Sequence, residues 1–311
     1  MQVKENEARI AVLEARFASL GEQDLLEKEA IEKEIAMIEE QAYSTLNAWD
    51  IVYLARHPKR PKASDYVQAL FDDFIEFHGD RCFGDDGACV GGIASFHGIP
   101  VTLITQSKGK TLEENMKKNF GMLHPEGYRK ALRLAHQAEK FHRPIITMVD
   151  TSGAYPGKGA EERGQAQAIA ECLEVFSGLK TPVVAIVLSE GGSGGALAFS
   201  VADKILMLEN AIYSVLSPEG FASILWKDEK RAEEAAEVME LTAADLKRKG
   251  IIDTIIKEPR GGAHKDFHAV CEQLDKELYR EILQLCTMNY DVMLEKRYEK
   301  FRKMGLAYEI V

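Results

Sequence analysis

The first 55 or so residues carry apolar positions at a helical spacing. Apolar side chains recur every three or four residues on both sides of Gly21, at Ile10, Leu13, Phe17, Leu20, Ile31, Ile35 and Ile38. Most intervening residues are Glu, Lys, Arg or Gln, so the period predicts an amphipathic helical hairpin broken near residues 21–24. The apolar side of such a hairpin needs a surface to pack on. That surface is either a partner chain or the body of the same protein, and amphipathicity alone does not decide between them.

A short basic segment, residues 56–62, contains Pro58 and Pro61. Proline disfavours helix at the residue before it, so the helical region is expected to end here. We therefore predict a helical arm for partner docking over residues 1–60 and a second domain over residues 61–311. The basic segment is interpreted as a solvated linker, with a phosphate-facing basic edge as the alternative.

Beyond residue 63, short apolar runs alternate with amphipathic stretches. Strands are predicted at residues 91–96, 101–104, 145–149, 183–188, 205–208, 212–215 and 251–256. Helices are predicted at residues 66–77, 126–141, 161–176, from about 194, near 219–226, from 242 to 250, and from 267 onward. Continuous Val and Ile runs between helices are typical of strands covered on both faces, so the predicted fold class is α/β.

Composition and charge exclude several classes of function. A chain of 311 residues with 46% hydrophobic residues can bury a sizeable core. The net charge of −11 disfavours a nucleic acid or an anionic membrane as the main partner. The five cysteines form no C-x-x-C pair, which is typical of a reduced chain without its own zinc ribbon. The N-terminus is charged and no apolar run reaches the roughly 20 residues of a membrane span, so a cytoplasmic protein is expected.

Two glycine-rich turns attract attention because each follows an apolar strand and precedes a helix. Residues 150–159 read Asp-Thr-Ser-Gly-Ala-Tyr-Pro-Gly-Lys-Gly, and residues 189–196 read Ser-Glu-Gly-Gly-Ser-Gly-Gly-Ala. Glycine lets a backbone approach a ligand closely, and unpaired amides where a helix starts suit an anion or a developing oxyanion. Turns at the carboxyl ends of neighbouring strands would face one crevice. The alternative is an ordinary pair of strand-to-helix connections.

Known motifs fit these turns poorly, with one exception. Neither turn has G-x-G-x-x-G in the context that a dinucleotide site requires. Residues 191–195 do satisfy G-x-S-x-G, which would make Ser193 a nucleophile. Possible acid and base partners follow it in triad order: Asp203, Asp253, His264 and His268. A serine hydrolase is therefore the second hypothesis. His264 and His268 are also the one pair of histidines with a spacing typical of metal ligands. They are better explained as solvated residues where a helix starts, so no metal site is predicted.

Several runs of residues, both turns among them, resemble the alpha subunit of bacterial acetyl-CoA carboxylase carboxyltransferase. The runs are residues 119–122 (Asn-Phe-Gly-Met), 125–131, 150–157, 159–165, 190–196, 217–220 and 261–264 (Gly-Gly-Ala-His). The likeness covers nearly the whole chain, including the arm. It implies a crotonase-type (ClpP/crotonase) fold of repeated ββα units stacked around a superhelix, with an N-terminal helical hairpin and C-terminal helices.

The resemblance also implies a reaction and a set of partners. Members of this family transfer a carboxyl group from carboxybiotin, held on a separate biotin carboxyl carrier protein, to acetyl-CoA, giving malonyl-CoA for fatty-acid synthesis. The alpha chain supplies the biotin-facing half of the site. A beta subunit supplies the acetyl-CoA-facing half and the zinc ribbon in a complex of two alpha and two beta subunits, and biotin carboxylase is a further partner. A non-enzymatic scaffold that assembles complexes through the arm remains a third hypothesis.

Carried over by position, the resemblance implies roles for residues in both turns. Gly194 and Gly195 would donate backbone N–H groups to the ureido oxygen of biotin, and Gly153 and Ala154 would line the same pocket. The remaining biotin-binding positions would be Gly192, Ser193, Lys108, Gly109, Asn119 and Phe120. Fixed amides stabilise charge that develops on the ureido group, and the biotin anion can itself take the proton from acetyl-CoA, so no side-chain base is required. Ser107 and Lys110 depart from the family's usual Gln and Arg, and lysine lacks the bidentate fork of arginine.

Overall fold

The computed structural model describes residues 2–306, which form fourteen α-helices and eight strands. The helices are α1 (Gln2–Ser19), α2 (Leu25–Tyr43), α3 (Ala48–Ala55), α4 (Ala63–Leu70), α5 (Leu112–Lys117), α6 (Pro125–Lys140), α7 (Lys158–Glu162), α8 (Gln165–Gly178), α9 (Ser193–Leu197), α10 (Pro218–Phe221), α11 (Ala232–Met239), α12 (Ala243–Arg248), α13 (Phe267–Cys286) and α14 (Tyr290–Lys303). The strands are β1 (Asp72–Glu76), β2 (Cys89–Phe96), β3 (Ile99–Gln106), β4 (Ile145–Thr151), β5 (Val183–Gly192), β6 (Lys204–Leu208), β7 (Ile212–Ser214) and β8 (Thr254–Ile256). None of these helices combines the length and the apolar character that crossing a membrane requires.

One mixed sheet organises the molecule and confirms the predicted α/β class. Its strand order is β1-β2-β3-β4-β5-β6-β8. The first three strands are antiparallel, whereas β3, β4, β5, β6 and β8 run parallel, so their carboxyl ends lie at one edge. β7 pairs with the last residues of β5 instead, at Glu190, Gly191 and Gly192. The long strand β5 therefore pairs with β6 and, at its carboxyl end, with β7. The second glycine run begins at that carboxyl end.

Several sequence predictions differ from the structure in their bounds; the strand predicted at 251–256, for example, is confined to Thr254–Ile256. The helix predicted at 66–77 ends at Leu70, because Phe71 is extended and packs against the Phe96 ring at 5.2 Å between centroids; residues beyond it form the edge strand β1. The helix predicted at 161–176 is divided at Gly164, whose φ of +83° breaks the helical path. The strand predicted at 183–188 continues to Gly192, so the second glycine run begins inside a strand.

The helical hairpin is confirmed as α1 and α2. Ile10, Ile31 and Ile38 are buried where the two helices meet, and the chain reverses over residues 20–24. α3 packs against the body, in an apolar cluster of Ala48, Val52, Ala55, Ile212, Ala236 and Leu241. The segment that stands apart from the sheet is therefore α1–α2, whereas α3 belongs to the body.

The interpretation of residues 56–62 as a solvated linker is wrong at Arg60. Its guanidinium is fully buried; it donates to the Leu188 carbonyl at 2.8 and 3.0 Å and pairs with Glu258 at 2.6 and 2.8 Å. Glu258 also accepts the backbone amides of Asn210 and Ala263. Burial alone would raise the pKa of Glu258, but the charge and hydrogen bonds of Arg60 hold it below its ordinary value. This pair fixes the segment to the end of β5, which leads into the second glycine run.

Replacing Arg60 by Met would leave Glu258 buried without its counter-ion. We expect Arg60→Met to lower the free energy of unfolding by about 3–5 kcal/mol, the usual cost of breaking a buried ion pair. Urea denaturation measures this change. Lys59→Met is the matched control, because Lys59 is exposed and makes no ion pair in the structure; equal effects of the two substitutions would show that the buried pair is not a stabilising anchor.

Candidate active site

The two glycine turns are in van der Waals contact at the carboxyl edge of the sheet. A Cβ atom built on Gly195 would lie 2.7 Å from both the Ala154 nitrogen and the Gly153 carbonyl carbon. A Cβ on Gly192 would overlap the Ser152 carbonyl. Since real Cβ atoms do not approach other atoms this closely, only glycine fits at either position.

The backbone amides at this contact are of two kinds. Gly153 N–H donates to Thr151 Oγ1 at 3.1 Å, and the Thr151 hydroxyl donates back to the Gly153 carbonyl at 2.7 Å. The amides of Ala154, Gly194 and Gly195 have no acceptor within residues 2–306, the last two because they lie in the first turn of α9. Three unused donors therefore lie where the turns meet.

An apolar cavity of about 570 Å³ opens beside these donors. Ser193 and Gly194 are part of its wall. The rest of the wall is largely apolar and includes Leu197, Tyr213, Val215, Leu216, Phe221 and Val238. A cavity of this size, mainly apolar with a few polar groups, is typical of sites that bind small molecules.

A second cavity, of about 390 Å³, lies on the Ser152 side of the turns. Lys108, Gly109 and Phe120 contribute to its wall. The loop over it is strained: Asn119, Phe120 and Gly121 have consecutive positive φ values of 45°, 54° and 79°. Strain of this kind in residues other than glycine is often retained at functional sites.

The carboxyl edge of the parallel strands also carries several charged side chains. Lys108 Nζ lies 2.9 Å from Asp150 Oδ1 and 2.9 Å from Glu190 Oε2, and Arg56 donates to the other oxygen of Glu190 at 2.7 Å. Burial alone would raise the pKa of Glu190, but the two cations lower it to about 2. Glu190 is thus ionised near neutral pH.

The structure brings together most of the residues that the sequence singled out. Those at the contact between the turns are Gly153, Ala154, Gly192, Ser193, Gly194 and Gly195. Lys108, Gly109 and Phe120 line the second cavity, and Asn119 lies in the strained loop beside it without lining the cavity.

Other residues at this edge received no role from the sequence. Gln106 donates to the Gly195 carbonyl at 2.6 Å, and the Tyr128 hydroxyl lies 2.9 Å from the position that a Cβ on Gly195 would take. Asp150, Glu190 and Arg56 form the charged network just described. The sequence did contain one signal for this network: an acidic residue lies near the end of each of two predicted strands. A buried carboxylate requires a cation nearby, so this pattern could have predicted a basic partner.

Within residues 2–306, no catalytic triad forms around Ser193. Ser193 is exposed at a φ of +57°, and its hydroxyl makes no hydrogen bond in the described chain. The proposed acids are engaged elsewhere: Asp203 pairs with Arg297 at 2.6 Å and Asp253 with Lys300. His264 stacks on His57, and His268 lies near Glu272 on the exposed side of α13.

One group of three potential metal ligands, Glu7, His57 and His264, has its ligand atoms within 4.8 Å of one another in the described residues. The two imidazole rings are stacked, with centroids 4.1 Å apart and planes 15° apart. Lone pairs in stacked rings point along parallel planes, so they do not converge on one ion as a tetrahedral site requires. Glu7 is instead held by the Tyr43 and Tyr53 hydroxyls at 3.0 and 2.7 Å. The group is a contact between the hairpin and the body.

Comparisons with known proteins bear on the whole chain. A family model described as acetyl co-enzyme A carboxylase carboxyltransferase-like matches residues 1–305. The acetyl-coenzyme A carboxylase carboxyl transferase subunit alpha of Listeria monocytogenes serotype 4b is 55% identical over 280 residues, covering 90% of this chain and 88% of that protein. The subunit of the same name from Geobacillus sp. strain WCH70 is 56% identical over 279 residues, covering 90% and 86%.

Solved structures with the same fold are more distant in sequence. Transcarboxylase 12S superposes with a TM-score of 0.57 at 20% identity, covering 75% of this chain and 44% of that one. A Pseudomonas malonate decarboxylase hetero-tetramer gives a TM-score of 0.58 at 16% identity, covering 72% and 89%. These likenesses confirm the crotonase-type fold. With the family model and the relatives that are more than half identical, they show that the chain belongs to the family of acetyl-CoA carboxylase carboxyltransferase alpha subunits.

Proposed function

We propose that the junction of the two turns is the biotin-facing half of the carboxyltransferase site. Family membership supplies the reaction, carboxyl transfer in acetyl-CoA carboxylase. The proposal rests on one observation above all: the amides of Ala154, Gly194 and Gly195 have no acceptor within residues 2–306 and lie where two turns touch. In this assignment they donate to the ureido oxygen of biotin. Gly153 shapes the turn without donating, because its own amide is bound to Thr151.

Fixed amides suit this chemistry for a physical reason. Biotin carries the carboxyl group, and negative charge builds up on its ureido oxygen as that group leaves. Backbone donors that are already oriented stabilise this charge without reorganising during the reaction, and losing one such donor typically costs about 10²–10³ in kcat. A side-chain base is not needed for this step.

The adjoining cavity fits the rest of the ligand. Biotin is a compact bicyclic group on an aliphatic chain, and the cavity of about 570 Å³ is lined mainly by apolar side chains such as Leu197 and Phe221. Ser193 lines this cavity, and Gly192 directly precedes it at the contact between the turns. We assign the cavity to the ring system and the start of its chain.

The other components of the reaction are assigned to partner chains. We propose a beta subunit that supplies the acetyl-CoA half and holds the zinc, in a complex of two alpha and two beta subunits, together with a biotin carboxyl carrier protein and biotin carboxylase. Three exposed apolar residues that line the cavity, Leu197, Val215 and Val238, support a partner surface there, and exposed Ile224 and Leu225 follow Phe221 of its wall in the chain. The α1–α2 hairpin, with exposed Val12, Leu26 and Met37, is proposed as a second docking element.

Gly195→Ala tests the assignment of the amides. The added methyl would lie 2.7 Å from the Ala154 nitrogen, so the turns must separate. We expect kcat for conversion of malonyl-CoA and biocytin to acetyl-CoA, measured in the complex with the beta subunit, to fall by about 10²–10³. Gly178→Ala is the control, because a Cβ at Gly178 meets no atom within 4 Å. Unchanged turnover by Gly195→Ala would refute the assignment.

The hydrolase hypothesis is kept as a second candidate because Ser193 has the positive φ and the exposure of a nucleophile at a tight turn. Without a base beside its hydroxyl, Ser193 should not react with a fluorophosphonate probe, and the isolated chain should not hydrolyse esters. Ser193→Gly should instead raise the free energy of unfolding by up to about 1 kcal/mol, since glycine adopts positive φ without a Cβ clash. Labelling of Ser193, seen by mass spectrometry, would favour the hydrolase.

A further inference from the structure

Three neighbouring parallel strands end around one ammonium group. Lys108 follows β3 by two residues, Asp150 is the penultimate residue of β4, and Glu190 lies near the end of β5. Lys108 Nζ is 2.9 Å from a carboxylate oxygen of each acid. The two strands that lead into the glycine turns are thus joined by a single cation from the third.

The two carboxylates depend on Lys108 to different degrees. Asp150 is fully buried, and neither of its carboxylate oxygens accepts a hydrogen bond within residues 2–306; the Lys108 ammonium, at 2.9 Å, is its one ion-pair partner there. Glu190 has a second cation, since Arg56 binds its other oxygen. Without Lys108, Asp150 would keep only the more distant charges of Lys62 and Arg60, whereas Glu190 would keep a cation in contact.

The acids are directly connected to the turns. Asp150 precedes Thr151, whose hydroxyl holds both the amide and the carbonyl of Gly153. Thr151 also faces Gly191 across the β4–β5 ladder, one residue after Glu190. Because Gly195 already touches the Gly153–Ala154 peptide, a shift of either strand end moves the amides of both turns.

The aliphatic part of Lys108 has a packing role as well. A Cβ on Gly121, at a φ of +79°, would lie 2.6 Å from the Asp150 carbonyl and 3.0 Å from Lys108 Cγ. The strained loop that carries Phe120 therefore rests on the same lysine and the same strand end.

We infer that Lys108 is a positioning residue for carboxyl transfer, which sets the spacing of the two turns through Asp150 and Glu190 rather than by touching biotin. The inference rests on the proposed function of the turn amides. In this arrangement the ammonium neutralises both acids, the strand ends stay at the distance that the glycines require, and the three amides converge. Its pKa lies above the ordinary lysine value despite burial, because both carboxylates favour the charged form, so it remains charged at neutral pH.

Lys108→Met keeps the length of the side chain and removes its charge. In the complex with the beta subunit, we expect kcat to fall by about 10²-fold, the cost of a displacement of about 1 Å in a catalytic group. KM for biocytin should change less than about threefold, because a transition-state interaction is lost and not ground-state binding. Lys117→Met, at an exposed lysine of α5, is the control.

The double variant Lys108→Met/Asp150→Asn separates positioning from direct contact. It removes the acid that has lost its ion-pair partner and leaves Glu190 with Arg56, so we expect at least about a tenfold recovery of kcat over Lys108→Met. A raised KM with unchanged kcat, or no recovery in the double variant, would overturn the inference. So would wild-type activity of Lys108→Met. If the single variant does not fold, the kcat of the double variant decides alone: within about tenfold of wild type supports positioning, and a loss of about 10²-fold or more refutes it.

Gly195→Ala, measured in the same assay, keeps this inference distinct from the proposed function. Loss of activity in Gly195→Ala together with normal activity in Lys108→Met would refute only the role of Lys108. Normal activity in Gly195→Ala would refute the assignment of the amides themselves.

Discussion

The two glycine turns meet backbone to backbone, with no side chain between them. Gly195 meets the Gly153–Ala154 peptide and Gly192 meets the Ser152 carbonyl, at separations that a Cβ atom would violate. This contact brings together the amides of Ala154, Gly194 and Gly195, which have no acceptor within residues 2–306. It also makes them sensitive to small movements of β4 and β5, because glycine turns have little packing of their own. The surrounding structure is best understood as what holds these two strand ends in place.

Buried charges provide much of that hold. Arg60 and Glu258 secure the end of β5 from one side, through the Leu188 carbonyl. Lys108 joins β4 to β5 from the other side, and Gln106 holds the Gly195 carbonyl. Pairs of this kind add little net stability, because removing charges from water nearly offsets their attraction. Their value here is geometric: hydrogen bonds with fixed lengths and directions specify one arrangement of strands that apolar contacts alone would leave free to slide.

The sequence predicted the parts of the fold that depend on local pattern. Runs of Val and Ile marked the buried strands, the three-to-four spacing around Gly21 marked the hairpin, and the glycine spacing marked both turns. Prediction was weaker where a tertiary contact overrides a local one. Phe71 leaves the helical path because its ring packs on Phe96, a neighbour distant in sequence. The seven residues after α3 resembled a linker because the partner of Arg60 lies 198 residues away.

In the candidate site, too, features of local sequence were predictable and features that depend on tertiary contacts were not. The glycines could be picked out from the sequence because their role depends on the backbone. The roles of Lys108, Asp150 and Glu190 could not, because they depend on which strands are neighbours in the sheet. The resemblance to a carboxyltransferase family supplied the proposed ligand, and the structure shows which of the turn amides have no acceptor within residues 2–306. Gly153 illustrates the difference: its position is at the contact, but its N–H is already bound by Thr151.

A crystal structure of this chain with its beta subunit and biocytin would test the central assignment directly, through the distances from the ureido oxygen to the nitrogens of Ala154, Gly194 and Gly195. We expect at least two of these distances to lie within about 2.7–3.1 Å, the range of donors that stabilise an oxyanion, with the ring system in the apolar cavity beside Leu197 and Phe221. A ureido oxygen bound by side chains away from the two turns would contradict the assignment.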